Sequence, residues 1–178
     1  MVAIRTKVTL RRRGDLAGHI AKLIKGLQGP TKVKVGFPAG ASPASVIDIA
    51  VWNHFGTAGS GTGFVRNGIG GFGGPIPPRP FITVAMFRHR NEIRRNLRRI
   101  AEAVIRDGTP VSRQMPRLGA YGAGLIQGQI SSNMGPPNST LTVTIKGSSG
   151  TLIDSGRMRQ SVTWQLVPGT SVPIAGSR

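Results

Sequence analysis

Nine of the twenty positions from 56 to 75 are glycine, and the run closes directly onto "IPPRPF" at 76–81. Glycine loses more conformational freedom on ordering than any other residue, so no packed helix or strand is stable across such a stretch. The chain is therefore divided by a long mobile loop or a β-ribbon arm at 58–75. Pro77 and Pro78 then fix φ and disfavour helix at the residues before them, so the chain leaves the loop stiff and extended. Arg79 is held between prolines, and Phe81 follows as an apolar anchor. The glycine run contains GxG pieces but no GxxxxGK[ST], and no strand and helix frame it, which argues against a phosphate cradle.

On the amino side of the loop, residues 2–10 alternate loosely as a strand or extended arm and lead into Arg11, Arg12 and Arg13. A helix fits 15–28, with Asp15 as N-cap, Leu16, Ile20, Leu23, Ile24 and Leu27 on one face, and "GP" as its stop. "TKVKVGF" alternates as a strand with Val33, Val35 and Phe37 on one side. A helix at 44–55 turns Val46, Ile49, Ala50 and Trp52 inward.

Beyond the loop the spacing predicts one long helix from Pro80 to Asp107. Met86, Ile93, Leu97, Ile100 and Val104 line one face; Arg88, Arg95, Arg99 and Arg106 line another, widened by Arg94 and Arg98. A further helix over 118–132 turns Leu118, Leu125, Ile126 and Ile130 inward, and its small residues at 119–124 permit close approach of another backbone. "LTVTIKG" (141–147) alternates as a strand, "LIDSGRMRQ" reads as a tight turn with a helical turn, and "SVTWQLV" (161–167) alternates as a strand. The expected fold is α+β: a small, mostly antiparallel sheet packed with a long amphipathic helix and two or three shorter helices. Residues 1–14 form a basic arm, 15–167 one domain and 168–178 an irregular tail.

Charge is the strongest compositional signal. Twenty-four Lys and Arg stand against six Asp and Glu, a net +18, and Arg outnumbers Lys three to one. The excess gathers at the amino end, +8 over residues 1–34, and on the arginine helix, where 85–107 hold seven Arg and three acids. Three acids are too few for intrahelical pairing to neutralise that helix; the plain reading is a solvated face, and a facing acidic subunit or nucleic acid would resolve the imbalance. Aromatic residues are only 5% of the chain, too few for a base-stacking platform.

The same composition excludes much chemistry. Without Cys there are no disulfides, thiolate nucleophiles or Cys-based zinc sites. His19, His54 and His89 have no second His or carboxylate at metal-ligand spacing, and the scattered acids suit neither a two-carboxylate hydrolase nor a magnesium-dependent nuclease. No catalytic residue, cofactor or metal is expected. Nor does any apolar run approach the roughly 20 residues of a membrane span, and the amino end lacks a signal-peptide core.

Four pieces, in order, carry a resemblance: "VKVGFPAG" (33–40), "IAVWNHFGT" (49–57), "IPPRPFI" (76–82) and "PPNSTLTVTIKGSSGTLIDSGRMRQSV" (136–162). Each alone is weak, but the ordered set resembles the neck and tail-completion proteins of tailed bacteriophages, a family of virion morphogenesis or minor tail proteins. Three departures stand out: His54 where an acid is common, an expanded glycine loop, and Ser155 for a usual Thr.

The resemblance implies a structural, non-enzymatic virion protein, assembled in the host cytoplasm, that forms a ring joining tail to head around the DNA channel. A hexamer matches the tail's six-fold symmetry. Its partners would be neighbouring neck, tail-terminator or tail-tube proteins, with non-specific contact to packaged DNA. On this reading Arg79, Phe81, Arg88, Arg95, Arg99, Phe64 and Phe72 contact partners, and Arg11, Arg12 and Arg13 touch DNA. A sequence-independent nucleic-acid-binding structural protein is the alternative.

Overall fold

The computed structural model describes residues 14–58 and 75–168. The basic block Arg11–Arg13, Phe64, Phe72 and the 169–178 tail lie outside them. A 21-residue helix at Val111–Ser131, here called α5, is the central element, against which both strands and several of the helices pack. It starts seven residues before the position expected from the sequence. Pro110 caps it in extended geometry, and Pro116 is accommodated in its second turn. Its small residues receive the sheet: a Cβ on Gly119 would lie 2.7 Å from the Trp164 ring, and one on Gly122 would lie 3.2 Å from Val35.

That sheet has two strands, β1 (Lys32–Gly36) and β2 (Thr163–Val167), paired antiparallel with Lys32 opposite Val167 and Val35 opposite Trp164. The alternation of β1 works as expected: Lys32 and Lys34 are exposed while Val33 and Val35 turn inward. With helices around a small antiparallel sheet, the fold is α+β.

The remaining helices are α1 (Leu16–Gly26), α2 (Ala44–Phe55), α3 (Phe81–Arg88), α4 (Arg90–Asp107), α6 (Thr140–Lys146) and α7 (Arg157–Gln160). The Asp15 side chain caps α1 as expected, accepting a 3.0 Å bond from the Gly18 amide. The single long helix expected over 80–107 is instead two, broken at His89, whose φ of −99° and ψ of 12° depart from helical values. The segment expected as a strand at 141–147 is α6. Ser139 accepts a hydrogen bond from the Thr142 amide, and Gly147 ends the helix at a φ of 69°. Those two caps satisfy terminal backbone groups locally. Its β-like alternation therefore gains nothing without a neighbouring strand.

Two apolar clusters flank α5. In the larger, Phe81, Ile126 and Ile130 are the most enclosed side chains, joined by Val46, Ala50, Leu152, Met158 and Val162. The smaller brings Val104 of α4 against Val111 and Met115. Inward-facing residues of α2 are Val46 and Ala50; Ile49 and Trp52, expected inside, are exposed. Leu16, Ile20 and Leu27 of α1 are exposed as well, because α1 touches the body near Gly26, against Val104 and Thr109.

A polar knot ties the chain together beside the larger cluster. Arg79 is 3% exposed, and its Nε donates to the Pro136 carbonyl at 2.8 Å. Its Nη2 donates to the Pro137 carbonyl at 3.3 Å and to Asn138 Oδ1 at 3.2 Å. Asn138 in turn donates to the Gly150 carbonyl, which Lys146 also reaches. The Arg79 amide donates to the Asn53 carbonyl at 2.7 Å. Arg79 and Phe81, expected at a partner surface, are thus internal: a guanidinium buried among carbonyl oxygens can leave them only by stranding those acceptors.

Candidate interaction surface

The glycine-rich run at 59–74 lies outside the described residues; the residues on either side of it are clamped together. The Thr57 amide donates to the Ile76 carbonyl at 2.9 Å, and the Ile76 amide donates to Thr57 Oγ1 at 3.1 Å. Beside them Gly56 has a φ of 77°, and a Cβ there would meet the Ile76 oxygen at 2.7 Å. Glycine is required at that position for both reasons.

His54, at the end of α2, lies edge-on to Phe81 at 5.3 Å between ring centroids and to Phe55 at 4.7 Å. Its Nε2 is 3.3 Å from Thr83 Oγ1, while Nδ1 is buried without a partner among the described residues. Burial lowers its pKa, so the neutral ring is the folded form. An unfolded histidine titrates near about 6.5. Stability from neutral His54 is therefore complete above that value and is lost as pH falls through the lowered folded pKa. Urea midpoints measured between about pH 7.5 and 5.5 should fall in the parent and fall less in His54→Gln; identical slopes would remove His54 from the pH response.

The arginines divide into distinct environments. Arg88, in α3, is separated from the others by the break at His89 and donates to Gln129 Oε1 of α5 at 3.3 Å. The helix expected to carry it together with Arg95 and Arg99 is two helices, with Arg88 on α3 and the other two on α4. The Arg90 guanidinium lies 4.2 Å above the Phe87 ring, and Arg106 pairs with Asp107 at 3.1 Å on the surface. Arg95 and Arg99 are exposed on α4 as expected. Arg94, Arg98 and Arg99 have no hydrogen-bond or ion-pair partner among the described residues.

Glu92 links α4 to α5. It accepts from the Tyr121 hydroxyl and lies 3.2 Å from His89 Nδ1. These hydrogen bonds, Tyr121 foremost, hold its carboxyl below the usual carboxylate range and push the Tyr121 phenol up. Immediately beside this link, α4 and α5 enclose a recess of about 320 Å³. Arg99 and Asn96 on α4 and Gln114 and Arg117 on α5 line it, over a floor of Ile100 and Leu118 with the Tyr121 ring at one side. Of these residues the sequence reading singled out Arg99 as a contact. For Arg117 and Tyr121 the signal was their four-residue step, which places both side chains along one line of a helix.

A second, larger groove of about 630 Å³ runs between β1, α4 and α5, with Val33, Val35, Met86, Ile93, Leu97 and Met115 among its walls. Ile49, Val51, Trp52 and Phe55 leave α2 with an exposed apolar side. Among the described residues no group of three or more His, Asp or Glu side chains is placed to hold a metal ion, and no helix is long and apolar enough to cross a membrane. No family model, curated protein or solved structure matches the chain.

Proposed function

We propose that this chain is a structural subunit of the head–tail junction of a tailed bacteriophage, assembling as a ring that joins tail to head around the DNA channel. One observation carries the reading: the four sequence pieces that resemble the neck proteins meet in three dimensions. Arg79 of "IPPRPFI" holds Pro136, Pro137 and Asn138 of the last piece, and its amide binds Asn53 of "IAVWNHFGT". Phe37 of the first piece stands edge-on to Phe81 at 6.3 Å, and Ser42 just beyond it donates to the Ser161 carbonyl.

Such a convergence is what a scaffold built from these pieces requires. The functional surfaces are then those outside the knot: the exposed side of α2 and the arginines of α4. A ring subunit uses them on neighbours and channel rather than on a substrate. The test is joining in vitro of heads and tails from a phage lacking this chain. Added protein should restore joined particles and appear as a ring at the junction by electron microscopy. Failure to join, with the protein monomeric alone and with particles, would overturn the proposal.

The unpaired arginines on α4 favour a second reading, a structural protein that binds nucleic acid regardless of sequence. It requires tight duplex binding by the isolated chain, weakening steeply with salt as phosphate counterions are released. Binding that tight, together with failed head–tail joining, would select it.

A further inference from the structure

We infer that the recess between α4 and α5 is a binding site for a carboxylate side chain, an Asp or Glu projecting from an acidic partner polypeptide. Arg99 of α4 and Arg117 of α5 line one recess from two helices. Neither has an ion-pair partner among the described residues. Guanidinium presents paired N–H donors in a fixed fork that matches a carboxylate. Asn96 and Gln114 add amides able both to donate to and to accept from a peptide backbone. The floor is apolar: Ile100 and Leu118 would cover the methylene stem of an acidic residue.

Phosphate of a nucleic acid is the less suitable occupant. A duplex backbone carries its charges on a hydrated sugar–phosphate ridge that has no apolar stem to place on Ile100 and Leu118. The exposed row Arg90, Arg94 and Arg98, set at four-residue intervals along α4, is the better match for a line of phosphates.

The chain cannot readily supply the acid itself. Four of its six acids are engaged: Asp15 caps α1, Glu92 is held by Tyr121 and His89, Asp107 pairs with Arg106, and Asp154 has a partner; the other two, Asp48 on α2 and Glu102 on α4, do not line the recess. A second copy brings a further +18 along with its few remaining carboxylates. The partner is therefore a different, acidic protein. The site does not depend on the chain forming a neck ring, because it follows from the pocket alone.

Fluorescein-labelled hexaglutamate, titrated with the full chain and followed by anisotropy near physiological salt, tests the site. Arg99→Gln/Arg117→Gln should weaken binding at least about tenfold, whereas Arg90→Gln/Arg94→Gln, with the same charge loss, should weaken it less than about threefold. Arg99→Lys/Arg117→Lys should weaken it at least about fivefold, because ammonium lacks the fork. Equal weakening in the two Gln pairs, or full binding by the Lys pair, would show a diffuse field rather than a pocket and overturn the proposal. So would an intact peptide affinity in Arg99→Gln/Arg117→Gln accompanied by a lost affinity for a short DNA duplex. All these side chains are solvent-exposed, and unchanged thermal melting confirms that each variant is folded.

Discussion

Arg79→Met should cost about 3 kcal/mol of folding stability, a large share of the roughly 5–15 kcal/mol that holds a domain of this size together. Methionine fills much of the volume of the arginine stem but donates to nothing. Three oxygens then lose a charge-assisted donor at once: the carbonyls of Pro136 and Pro137 and the Asn138 amide oxygen. Each such hydrogen bond contributes about 1.5–3 kcal/mol, and each buried acceptor left bare costs about 1–3 kcal/mol. Against this, the parent bears the cost of burying a cation among neutral groups, which lowers the Arg79 pKa and which the variant escapes. The acceptors win because they are several and the cation is one. Urea unfolding with an unchanged m-value measures the difference, and a loss under about 1 kcal/mol would mean that water replaces the guanidinium without penalty.

Two glycines on one helix should respond to alanine with opposite signs. Gly124 has open space where a Cβ would stand, so Gly124→Ala should stabilise by about 0.5–1 kcal/mol through helix propensity alone. Gly119→Ala has the same propensity gain. Its new methyl, however, would stand 2.7 Å from Trp164 and 2.9 Å from Val33, inside van der Waals contact with both strands. Overpacking of this kind costs about 1–3 kcal/mol, and neither an indole ring nor a β-branched valine can turn away easily. Gly119→Ala should therefore be destabilising overall, by about 1–2 kcal/mol. Thermal melting of the two variants beside the parent gives the comparison directly; a stabilised Gly119→Ala would mean that the sheet slides off α5 at no cost.

Local chemistry made much of this fold readable from residues alone. Asp15 announced α1, the alternating valines announced β1, and "SVTWQLV" announced β2, because caps and period-two patterns act over a few residues. The small residues at 119–124 correctly signalled a close backbone approach, although not that both strands would share it. What escaped did so for more than one reason. Leu-Thr-Val-Thr-Ile alternates like a strand, yet Ser139 and Gly147 close it as a helix, and no described strand lies beside it to reward extension. The helical periodicity of 81–107 runs through His89 without a visible interruption, so the break there has no local mark in the sequence. Arg79 was legible as a constrained residue but not as a buried one, since its three acceptors lie more than fifty positions away. The α4–α5 recess was half visible: Arg99 was prominent in an arginine-rich segment, while Arg117 became a candidate only when α5 was seen to begin early enough to carry it.

The clamp of Thr57 and Ile76 makes the intervening chain a replaceable module. Two hydrogen bonds and a glycine fix Thr57 and Ile76 side by side whatever chain is spliced between them, and doubling the length of a flexible insert closed there would cost only about 0.6 kcal/mol. Lineages of such a protein can lengthen, shorten or exchange that insert to suit new neighbours while Phe81, Arg79 and the sheet stay as they are. The same socket offers an engineer a place to graft a reporter or an epitope without redesigning the domain beneath it.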